Sequence, residues 1–62
     1  MNFFMNTQML KTINSLKAFE AGLELAARKD DGRVDKKEAA EIKRIKKKTE
    51  EYIRFLQSEM TI

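Results

Sequence analysis

Residues 30–38 read Asp30-Asp31-Gly32-Arg33-Val34-Asp35-Lys36-Lys37-Glu38, and this stretch decides how the chain folds. Gly32 can take the left-handed conformation that closes a helix at little steric cost. Arg28 and Lys29 occupy the turn before it, where the carbonyl end of a helix dipole favours cations. Asp35 reads as an N-cap, and Glu38, three residues on, completes a capping box. The stretch therefore ends one helix and begins another.

Outward from this turn, both flanks carry helical periodicity. Met5, Met9, Thr12, Leu16, Phe19, Leu23 and Ala26 alternate spacings of four and three, and Ile13 and Ala27 widen the stripe. Beyond the turn, Ile42, Ile45, Thr49, Ile53, Leu56 and Met60 do the same, flanked by Tyr52 and Phe55. Strict period-two alternation is absent, so no strand is expected. The reading is all-α: one helical-hairpin domain over 1–62, with helix one at about 5–30, a turn at 31–35 and helix two at about 36–60. Folding at the turn sets Ile42 against Gly22 and Leu23, Ile45 against Phe19, Thr49 against Leu16 and Ser15, Leu56 against Met9, and Met60 against Met5. Gly22, inside a helix, marks either a close approach opposite Ile42 or simple tolerance.

Composition narrows the function classes. The chain has 62 residues, 37% of them charged, and no Cys, His or Pro. Disulfides and thiolate metal sites are excluded, and so is the commonest general base. The carboxylates that cluster lie in the turn, where no pocket closes over them. No catalytic residue, metal site or cofactor is expected. The N-terminal Phe3, Phe4, Met5 and Met9 are expected to extend helix one and pack on Met60 and Ile62. No run of apolar residues is long enough to span a membrane, and the location expected by default is cytoplasmic.

A chain this small builds a marginal core. Its apolar stripes are also wider than one seam can cover, because Leu10, Ile13, Ala27, Tyr52 and Phe55 flank the central rows. Two hairpins are therefore expected to pair as a homodimeric four-helix bundle, with Leu16, Phe19, Leu23, Ile42, Ile45, Ile53 and Leu56 as the assembly interface. A larger partner protein covering the same stripe is the other solution. The leading functional expectation is a small non-catalytic interaction or regulatory protein that acts through self-association or by binding a partner.

The alternative lies in the charge distribution. The net charge is +3, yet residues 36–48 hold seven basic and two acidic side chains. Lys43, Arg44, Lys46, Lys47 and Lys48, extended by Lys36 and Lys37, would offer a basic face to nucleic acid or another polyanion. Glu50 and Glu51 follow at once, spaced for pairing with Lys46 and Lys47.

Residues 27–38 resemble an EF-hand calcium loop in part. Asp31, Gly32, Val34, Asp35 and Glu38 stand at the family's fifth, sixth, eighth, ninth and twelfth positions. The resemblance implies a sharp turn at Gly32 and a bidentate Glu38. Ala27 and Lys29, however, occupy the first and third positions, where the family has oxygen ligands, and a helix stop followed by a capping box accounts for the rest.

Overall fold

The computed structural model describes residues 2–60; Met1, Thr61, Ile62 and the side chains of Asp30 and Asp31 lie outside that description. Two α-helices, α1 (Phe3–Asp31) and α2 (Lys36–Glu59), pack against each other, and the described residues contain no strand.

Local chemistry sets each end. Asn2 caps α1, its side-chain oxygen accepting from the Met5 amide at 2.8 Å. The helix thus starts two residues earlier than periodicity alone indicates, because Phe3 and Phe4 lie within the first turn. At the other end Gly32 has φ 81°, and its amide donates to the Arg28 carbonyl at 2.7 Å. Asp35 caps α2, its carboxylate accepting from the Glu38 amide at 2.8 Å. At the far end of α2, the Met60 amide donates to the Leu56 carbonyl at 3.1 Å.

The core is a thin line along the seam. Ile13, Ile53 and Leu56 are buried together, with Met9, Leu16 and Met60 packed on them, and Ile42 is buried nearer the turn. Thr49 is also buried, and its hydroxyl donates to the Ile45 carbonyl at 2.9 Å. That bond satisfies a polar group the seam would otherwise strand.

Two details differ from the sequence reading. Ile13, read as a flank, is the most buried apolar residue at 3% exposure, whereas Phe19, read as central, is 47% exposed. The cause is phase. Ile13 and Phe19 stand three residues to either side of Leu16, so they point about 60° to opposite sides of it. α2 packs on the Ile13 flank, which leaves Phe19 at the edge of the seam. Secondly, Phe3 and Phe4, expected to pack at the open end, are 74% and 79% exposed, because the first turn of α1 runs past the end of its partner's seam; the expected contact with Ile62 lies outside the described residues. A Cβ built on Gly22 would meet nothing within 4 Å, so of its two readings simple tolerance holds.

The molecule measures 45 × 17 × 10 Å, with a radius of gyration of 14.5 Å. A compact chain of this length would have about 11 Å. The hairpin is a flat rod, one helix thick, and both broad sides meet solvent.

Candidate functional site: two unlike sides of one hairpin

Because the hairpin is one layer deep, its two broad sides are its candidate sites. The grooves between the helices show how they differ. Near the turn, one groove is lined by Leu23, Ala26, Ala27, Lys37, Glu38, Glu41 and Ile42. At the open end, another is lined by Met5, Gln8, Met9, Phe55, Leu56 and Glu59. Apart from Ile42, the two sets correspond at a separation of eighteen: 5, 8 and 9 against 23, 26 and 27 on α1, and 55, 56 and 59 against 37, 38 and 41 on α2. Eighteen residues are five full turns of an α-helix, so both grooves open on the same side.

Between them, helical phase places Phe19, four residues before Leu23, and Tyr52, three before Phe55, on that side as well. Met5, Phe19, Tyr52 and Phe55 are each about half exposed there, and Tyr52 and Phe55 stack with ring centroids 5.9 Å apart. This side is rich in apolar and aromatic side chains, and Lys37, Glu41, Arg44, Lys48 and Glu59 stand along it.

The opposite side carries more charge, although Leu10 is half exposed on it. One groove there is lined by Glu24, Val34, Ala39, Ile42, Lys43, Lys46, Lys47 and Glu50, and another by Leu10, Ile13, Asn14, Lys17, Gln57 and Met60. The five basic residues singled out from the sequence are not brought together. Lys43, Lys46 and Lys47 line the polar groove together with two glutamates. Arg44 and Lys48 follow Lys37 by seven and eleven residues, so they fall toward the apolar side's rim. Arg44 is held there by Glu41, and the Lys48 ammonium lies 3.8 Å from the Glu51 carboxylate. Glu51 thus takes Lys48 rather than Lys47. These exposed pairs contribute little to stability.

The residues expected at an assembly interface divide by depth. Ile42, Ile53 and Leu56 are buried within the hairpin, while Leu16, Leu23 and Ile45 are half-buried and Phe19 is the most open. The first three hold the two helices together, and the last four remain accessible. The sequence reading placed Met5 at the start of the first row and Tyr52 and Phe55 beside the second, without assigning them to one side. Their common phase with Phe19 emerges only when the two helices are set in register.

One carboxylate oxygen stands out. Glu20 Oε2 is closed off from solvent and has no hydrogen-bond partner. Among the described residues, no group of three His, Cys, Asp or Glu side chains is placed to hold a metal ion. Asp35, one of the residues shared with the calcium-loop pattern, spends its carboxylate on the α2 cap. No helix among the described residues is long and apolar enough to cross a membrane.

Comparison with protein-family models, with curated proteins and with solved structures finds no match to the chain.

Proposed function

We propose that this chain is a small non-catalytic interaction protein that works by docking its apolar side against another helical surface. The observation that carries the reading is the pair of grooves repeated at eighteen residues, with half-exposed Met5, Phe19, Tyr52 and Phe55 completing one side. An aromatic-rich surface of this kind, rimmed by charges, is what protein interfaces present at their centre. A catalytic reading has less support, since the chain has no His or Cys and its grooves are open troughs on a one-layer body.

The polyanion reading rests on Lys43, Lys46 and Lys47, and the glutamates in the same groove weaken its potential. Cytoplasmic location remains an expectation of the same proposal.

Sedimentation equilibrium tests it. The wild type should exceed the monomer mass, and a Phe19→Glu, Tyr52→Glu double variant should sediment as a helical monomer. Leu25→Glu should change nothing, because Leu25 is 64% exposed and lies away from the apolar side. A double variant that associates as strongly as the wild type overturns the reading.

A further inference from the structure

We infer that the occupant of the apolar side is a second copy of this chain, laid antiparallel so that the turn of one copy lies over the open end of the other. The inference rests on the docking role proposed above and adds to it the partner and its orientation.

Surface area points to a second copy. The chain exposes 5152 Å². A compact 7.3 kDa monomer is expected to expose about 4,200 Å². The excess, roughly 1,000 Å², is close to the ~800 Å² that each partner contributes to a standard interface. A chain covering its own excess on an identical copy closes the assembly at two.

Charge selects the orientation. Residues 17–48, the half nearer the turn, hold eleven basic and seven acidic side chains. The remaining residues, at the open end, hold two basic and three acidic. Stacking turn on turn would set two strongly basic halves together. Stacking turn on open end sets each basic half against a mildly acidic one, which lowers the repulsion.

Geometry then gives the register. A two-fold axis across the middle of the apolar side lays α1 on α1 and α2 on α2. It crosses α1 at the level of residue 17 and α2 at the level of residue 48, the midpoints of helices that span Phe3–Asp31 and Lys36–Glu59. About that axis Gln8 meets Ala26 of the second copy, and Lys37 meets its Glu59. All four residues line the grooves of the apolar side. The eighteen-residue repeat puts a groove near each end of the apolar side, so the end-for-end turn lays the groove at one end of one copy over the groove at the other end of its partner.

The chain has no cysteine, so introduced thiols report the arrangement directly. Chains carrying Gln8→Cys are mixed with chains carrying Ala26→Cys and oxidised under mild conditions. The mixed disulfide should dominate, with little Gln8→Cys or Ala26→Cys homodimer. In parallel, Lys37→Glu and Glu59→Lys should each weaken the dimer about five- to tenfold, through two equivalent contacts per assembly. The chain carrying both reversals should recover wild-type affinity. A mixed disulfide between Gln8→Cys and Glu59→Cys chains, formed in place of the Gln8–Ala26 link, means that the turns lie at the same end. That result overturns the orientation and leaves the docking side intact. A wild type that remains monomeric to millimolar concentration overturns the second copy, whereas an assembly indifferent to Phe19→Glu overturns the docking side as well.

Discussion

Tyr52 and Phe55 lie one turn apart on α2 with their rings stacked at 25° and 5.9 Å, and both rings remain about half exposed. An aromatic pair stacked on the outside of a hairpin contributes little to holding its own two helices together, yet offers a rigid apolar platform. Phe55→Ser should therefore leave helicity by circular dichroism nearly unchanged at concentrations where the chain is monomeric. The same change should weaken association by about tenfold or more in sedimentation equilibrium.

Ile13 is the converse case. It is buried against Ile53 and Leu56, so Ile13→Ala should cost about 2–4 kcal/mol in urea unfolding. For a chain this short, that approaches the whole stability, about 3–9 kcal/mol. Phe19→Ala should cost well under half as much in the monomer, because nearly half of its ring is already in water. Equal losses at the two positions would mean that Phe19, and not Ile13, sits in the seam.

The two glycines should respond in opposite directions. Gly22 sits inside α1 with open space around it, so Gly22→Ala should add about 0.5–1 kcal/mol. That corresponds to a rise in Tm of about 2–8 °C. Gly32 has φ 81°, so Gly32→Ala should lose about 1–2 kcal/mol through backbone strain. Scanning calorimetry of the two variants at one protein concentration checks both signs.

Glu20 places a carboxylate oxygen where neither water nor a donor reaches it. Glu20→Met keeps the length of the side chain and removes the unpaired group. It should stabilise the hairpin by about 1 kcal/mol, read as a higher urea midpoint with an unchanged slope. A fall in the midpoint would show that the carboxylate has a partner in solution.

Polyanion binding makes a separate prediction. With Lys17, Lys43, Lys46 and Lys47 on one side, and Lys36 and Arg54 in phase with Lys43, any affinity for duplex DNA should be confined to low salt because glutamates share the groove. Its dependence on log salt should have a slope no steeper than about −5. A steeper slope in filter-binding titrations would show that Arg44 and Lys48 join the same surface.

The turn was readable from sequence because its signals act through the backbone within a few residues. Gly32, Asp35 and Glu38 each do locally what their residue types favour, and the hairpin's register follows from that single hinge. The start of α1 was less visible. Asn2 caps it, but Met5 stands where a capping box would have an acidic or amide partner, so the pattern lacks its second half. The exchange of roles between Ile13 and Phe19 turns on their pointing about 120° apart on α1, and which of the two faces the seam is decided by the way α1 meets its partner. The division into an apolar and a polar side is carried by both helices at once. It becomes visible only when residues 5–27 and 37–59 are read against each other, as the matched grooves show. The five clustered basic residues looked like one surface because adjacency in sequence is not adjacency on a helix, where Lys47 and Lys48 point about 100° apart.

The hairpin's 10 Å thickness has a consequence for its lifetime. In a body one helix deep, every turn of backbone lies within a side chain of water, so local opening is easy and amide exchange and proteolysis proceed from almost any point. A second layer on the apolar side would shield one flank of each helix and tie opening to separation of the layers. Resistance to proteases would then rise with the amount of chain present. The abundance of such a protein would reinforce itself: scarce copies are cleared quickly, and plentiful ones persist.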